Sequence, residues 1–150
     1  MMKYIQGDLF TAPRGEVLIH SCNTLGHWGA GVALQFKNKY PEAYALYHKT
    51  CAGYGRSLLG KAQLTGCNGH IIGSLFVSKG YGWAKDPKDL ILEHTRWALA
   101  DLAHQILPLR TRVHMPKINS GLFDVPWEET ERLVKLYLEP ATVGVLVYEL

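Results

Sequence analysis

Strand-like and helix-like segments alternate along the whole of this chain, and that alternation admits few arrangements other than helices layered on a sheet. Residues 3–7 and 17–22 read as strands, the second (VLIHSC) the more apolar. Residues 61–65 and 71–78 read as a pair joined at Asn68-Gly69, a dipeptide that accepts positive φ at both turn positions. Runs at 112–115 and 144–149 bring the count to about six strands. The helices are marked by proline and by periodicity. One spans residues 31–40 with Val32, Ala33, Phe36 and Tyr40 on one face, and a second starts at Pro41 and is closed by Gly53 and Gly55. The third is expected to begin with Asp86 as cap and Pro87 as first residue, and to bury Ile91, Thr95, Ala98, Leu102 and Ile106. The fourth opens at Pro126 and turns Trp127, Thr130, Leu133, Val134, Tyr137 and Leu138 inward. The expectation is an α/β fold, a three-layer α/β/α sandwich on a mixed sheet, with residues 1–150 forming one domain.

Composition narrows the function classes. No apolar run is long enough to cross a bilayer, and the charged, strand-like MMKYIQGDLF is not read as a signal peptide, so a cytoplasmic or nuclear address is expected. Three cysteines without Cys-x-x-Cys spacing argue against a disulfide framework and a structural zinc site; no metal and no cofactor are expected. A net charge of +3, scattered along the chain, suits an anionic ligand and makes nucleic acid an unexpected partner.

Two glycine-rich segments stand where a strand passes into a helix. In Asn23–Val32 (NTLGHWGAGV), Gly29, Ala30 and Gly31 expose main-chain N–H groups at a helix N-terminus, a cradle suited to a diphosphate. The second is Asn119–Asp124 (NSGLFD). At the carboxyl ends of neighbouring strands the two loops would wall a cleft. Neither fits the phosphate-loop lysine pattern or the GxGxxG dinucleotide fingerprint.

GDLF at 7–10, IHSCN at 19–23, GAGVALQF at 29–36, MPKINSGLFDVPW at 115–127 and the terminal VYEL together resemble the macrodomain superfamily, over essentially the whole chain and in order. Within it the chain is most similar to the fungal ADP-ribose-1''-phosphate phosphatase branch, and less so to the terminal ADP-ribose–protein glycohydrolases. The resemblance implies that Asp8 and Leu9 meet adenine, with Tyr148 and Leu150 nearby. It implies that Gly29, Ala30, Gly31 and Val32 form the first phosphate loop, that Asn119, Ser120, Gly121, Leu122 and Phe123 belong to the second, and that Asn23 holds the distal ribose with Phe123 against it. His20 matches a histidine of the phosphatase branch, and Lys79 the catalytic lysine of the glycohydrolases, whose aspartate stands one residue before the position of Asp124.

Each of these residues also has a plainer role open to it. Asp8 can cap a turn and Asp124 a helix. An internal strand histidine such as His20 can be core rather than catalyst. His27 and Trp28 either touch a ligand or shield it. The expectation is a metal-independent, monomeric phosphatase, with His20 moving a proton, Asn23 orienting the ribose and loop N–H groups holding phosphoryl charge. The alternatives are a hydrolase of protein-linked ADP-ribose acting through Lys79 and Asp124, and a reader of ADP-ribosylated proteins without turnover.

Overall fold

A computed structural model describes residues 1–149; Leu150, expected near adenine, lies outside the described residues. The chain runs β1 (Met2–Gln6), β2 (Val17–Asn23), α1 (Gly31–Lys39), α2 (Pro41–Tyr54), β3 (Ala62–Cys67), β4 (His70–Ser78), α3 (Lys88–Ile106), β5 (Arg112–Pro116), α4 (Trp127–Tyr137) and β6 (Gly144–Glu149). The sheet order is β1-β6-β5-β2-β4-β3, and every neighbouring pair is parallel except β3 with β4. That antiparallel pair is the expected hairpin. Asn68 and Gly69 sit at φ 48 and φ 84, the two positive values its tight turn requires.

Alternation along the strands divides the core between two layers of helix. Val17 and Ile19 of β2, Leu75 and Val77 of β4, Val113 and Met115 of β5 and Val145 and Val147 of β6 face α3 and α4. Leu18 and Cys22 of β2, with Ile72 and Phe76 of β4, face α1 and α2. The expected stripe of α3 is fully buried at Ile91, Thr95, Ala98, Leu102 and Ile106. Each large apolar side chain so buried contributes about 1.5–3 kcal/mol. In α4, Trp127, Thr130, Val134 and the following Leu138 are buried, with Leu133 and Tyr137 packed at the margin.

One helix start differs from expectation. Pro87 is the N-cap of α3, and the Asp86 side chain does not cap it. Its carboxylate accepts the Lys79 N–H at 2.8 Å, and its own N–H donates to Ser78 Oγ at 2.9 Å. Asp86 is buried and fastens the loop after β4 rather than the helix after it.

The topology also fixes where a ligand can enter. β2 and β5 are neighbours, yet β2 leads to α1 on one face and β5 to α4 on the other. The chain parts at their carboxyl ends, and a crevice opens where the two connections diverge.

Candidate functional site

The crevice is a cavity of about 710 Å³, within the usual range for a small-ligand site. The loop after β2 forms one wall and the loop after β5 the other. They meet across the top, where a Cβ built on Gly31 would lie 3.6 Å from Leu122 Cδ1.

The first wall is an unsatisfied helix end. Ala30 is the N-cap of α1 in extended conformation and contributes no side-chain cap, and no acidic residue stands in the first turn. The N–H groups of the first helical residues have no intrahelical acceptor, and they face a cavity lined by Gly29, Ala30, Gly31, Val32 and Ala33. Lys37 and Lys39 occupy the last turn and suit the helix dipole there, leaving the positive end open to an anion. Gly31 stands at φ 60, so the close approach of the loop depends on a residue without a side chain.

The second wall offers the same chemistry. Asp124 N–H bonds Gly121 O and Val125 N–H bonds Asn119 O, which folds the loop tightly. The N–H groups of Gly121, Leu122 and Phe123 have no protein acceptor among the described residues, and all three residues line the cavity with Ser120. Asn119 lies beneath, buried and at φ 69. Its Nδ2 donates to Thr95 Oγ1 at 2.9 Å and Thr130 Oγ1 at 3.3 Å, and its Oδ1 accepts from Ser21 Oγ at 2.7 Å. Asn119 therefore ties the loop to β2, α3 and α4, and its side chain has its partners within the protein.

Asn23 works in a similar way under the first loop. Its Oδ1 accepts the Leu25 and His27 N–H groups at 2.9 and 3.4 Å, and its Nδ2 donates to His27 O at 2.8 Å. One Nδ2 hydrogen remains for a ligand. A register shift in the β2–β4 pairing falls between Cys22 and Asn23 and re-aims the strand end.

Asp8, Leu9 and Tyr148 gather at another part of the wall. Asp8 also caps the short helical turn after β1, its Oδ1 accepting Phe10 N–H at 2.9 Å, so the turn role and the cavity position coexist. Tyr148 is held from behind. Glu16 accepts from His114 Nε2 at 2.5 Å, which leaves Nδ1 to accept the Tyr148 hydroxyl at 2.7 Å. Burial works against charge on Glu16, but hydrogen bonds from Arg112 and His114 outweigh it and hold its carboxyl below its ordinary range. Burial likewise pushes His114 down.

Three expected catalytic residues are not in the cavity. His20 is fully buried on the α1–α2 face, its ring stacked on Phe36 at 4.1 Å and edge-on to Trp28 at 4.6 Å. Burial pushes its imidazole down to about 3, so it stays neutral and inside. Lys79 extends to Asp86, at 3.9 Å, and borders a separate hollow with Arg56 and Thr24. Asp124 is exposed at φ 58 and lies outside the cavity lining; α4 has Pro126 as its N-cap, so Asp124 does not cap it either. Both residues of the ambiguous pair line the cavity; Trp28 is buried and stacks on Tyr47, whereas His27 is exposed.

The cavity also contains residues that the sequence pattern did not single out, among them Ser21, Gln35, Tyr81 and Lys117. Lys117 follows β5 directly and Ser21 precedes the Cys22-Asn23 strand end, so strand-end position was the available signal. Among the described residues no three His, Cys, Asp or Glu side chains converge as a metal site, and no helix is long and apolar enough to cross a membrane.

Residues 19–134 match the Macro domain, and the chain belongs to that family. The relatives are more particular. The chain is 41% identical to an ADP-ribose 1''-phosphate phosphatase of Chaetomium globosum, over 86% of this chain and 80% of that one. It is 43% identical to the protein of the same name from Lodderomyces elongisporus, over 89% of this chain and 90% of that one. Among solved structures, the macrodomain of Mycobacterium tuberculosis DarG superposes with a TM-score of 0.83 at 31% identity, covering 100% of this chain and 98% of the other.

Proposed function

We propose that this chain binds ADP-ribose in the crevice and hydrolyses ADP-ribose 1''-phosphate to ADP-ribose and inorganic phosphate. The observation that carries the reading is the pair of facing loops, each presenting unpaired main-chain N–H groups to one cavity. Such donors, preorganised and with little side-chain bulk, suit a diphosphate and cost no rearrangement when it binds. The chain covers 80% and 90% of two fungal relatives that bear the name of the phosphatase.

Asp8, Leu9 and Tyr148 would receive the adenine, and the two loops the diphosphate. The distal ribose would then lie by Phe123 and the remaining Asn23 hydrogen, with the phosphomonoester beyond it. Loop N–H groups aimed at phosphoryl oxygens stabilise charge that develops as the P–O bond breaks. Neither Lys79, whose ammonium lies 3.9 Å from Asp86, nor the exposed Asp124 lines the cavity, and this favours the phosphatase over release of protein-linked ADP-ribose. Three buried thiols, all free, fit a reducing compartment, and we place the activity in the cytoplasm or nucleus.

The test is to incubate the protein with ADP-ribose 1''-phosphate and, separately, with mono-ADP-ribosylated protein. Phosphate release from the first with little ADP-ribose release from the second is expected. The opposite pattern would make it a glycohydrolase, and binding without either product would make it a reader.

A further inference from the structure

Cleaving the phosphomonoester leaves an anomeric oxygen that needs a proton, and His20 lies too deep to supply one. We propose that His27 is the general acid and base of this reaction, held in place by Asn23 and flanked by Tyr81. The inference rests on the phosphatase reading above and names a proton carrier for it.

Among the described residues, the titratable side chains on the cavity wall are Asp8, Cys22, His27, Tyr81, Lys117 and Tyr148. Four of them are otherwise engaged. Asp8 caps its own turn, Lys117 pairs with Glu149 at 2.8 Å, and the Tyr148 hydroxyl is given to His114. Cys22 is buried, and burial pushes its thiol up and keeps it protonated. His27 and Tyr81 remain. Their ring centroids are 5.7 Å apart and nearly perpendicular, at 78°. An imidazole is the side chain whose ordinary titration falls closest to neutrality, and so the one best matched to giving and taking a proton there.

The main chain beneath His27 is braced on both sides. Asn23 accepts its N–H and donates to its C=O, as described above. The preceding carbonyl, Gly26 O, accepts from the Tyr44 hydroxyl and from His48 Nδ1, each at 2.9 Å. Tyr47 OH donates to Asn23 O at 2.7 Å. A ring carried on a loop so held projects into the cavity from a fixed base, which is what a proton carrier requires. The group packed against that ring is the Tyr81 phenol. The Lys79 ammonium lies 3.9 Å from Asp86, and Lys79 is outside the cavity lining. Asn23 is accordingly a positioning residue for His27 as well as a ribose neighbour.

The step balances without a further reactant. Water oxygen bonds to phosphorus as the bond between phosphorus and the anomeric oxygen breaks. The His27 imidazolium gives its proton to that oxygen, completing the hydroxyl of ADP-ribose. The resulting neutral imidazole takes a proton from the attacking water, which leaves hydrogen phosphate and restores the imidazolium.

The experiment follows phosphate release from ADP-ribose 1''-phosphate across pH for wild type and His27→Gln, with ADP-ribose titrated into each. His27→Gln should lower kcat by roughly 10²–10⁴-fold. It should also remove one limb of the kcat profile against pH. Its affinity for ADP-ribose should stay close to wild type, which also shows that the fold and cavity survive. An active wild type with an equally active His27→Gln, or an unchanged pH limb, overturns the role of His27 alone. A wild type that binds ADP-ribose yet releases no phosphate overturns the reaction, and the proton role with it.

Discussion

The imidazole of His20, pressed between Phe36 and Trp28, shows how one residue can match a family position and still be structural. Strand alternation puts His20 in line with Leu18 and Cys22, toward the α1–α2 layer, and Phe36 of α1 covers it. The motif was legible, but the partner that buries the ring comes from a helix farther along the chain, and no local pattern announces that pairing. The consequence is measurable. Burial lowers His20 to about 3, against about 6.5 for an unperturbed histidine. Between those values the unfolded chain binds the extra proton, so stability is full above the upper value and falls as pH drops, by about 1.4 kcal/mol per unit at most. His114, also pushed down by burial, acts in the same direction. Melting temperature followed from pH 7 to about pH 5 should therefore decline in the wild type and decline less in His20→Leu. Phosphate release at neutral pH should be kept by that variant. Identical pH slopes, or lost turnover in a folded His20→Leu, would return His20 to the catalytic candidates.

At the scale of elements, the two loops were readable because glycine and strand–helix alternation are local signals. Gly29 to Val32 and Ser120 to Phe123 stand on the walls of one cavity. Long-range fastenings were not readable. Asp86 looks like a helix cap beside Pro87, yet its carboxylate is taken by the loop after β4. Asn119 looks like a ligand group, yet its side chain is taken by Ser21, Thr95 and Thr130. The loop geometry also selects the substitution that tests the cradle. Gly31 has positive φ, so any side chain there strains the backbone and blurs the result. Gly29 carries no such φ, and a Cβ built on it meets nothing within 4 Å. Gly29→Glu should leave the circular dichroism and melting behaviour near wild type while abolishing ADP-ribose binding, because a carboxylate would occupy and repel the diphosphate position. A folded Gly29→Glu protein with unchanged affinity would mean that the first loop is not the cradle.

For the whole molecule, the sequence indicated a mixed sheet between helical layers and its hairpin, because those follow from periodicity and turn chemistry. The order β1-β6-β5-β2-β4-β3 was out of reach, since parallel neighbours are chosen by packing between distant segments. That order is what makes the site. It sets β2 beside β5 with their helices on opposite faces, so that two N–H-rich loops confront each other over one crevice. The central claim is that these loops together hold the diphosphate of ADP-ribose, using the chain's own donors. Calorimetric titration of the wild-type protein with ADP-ribose, in the presence of a chelator, tests it most directly. Saturable binding at a single site is predicted, with free adenine and ribose 5-phosphate each far weaker because each reaches only part of the crevice. No heat and no thermal shift with ADP-ribose would contradict the account.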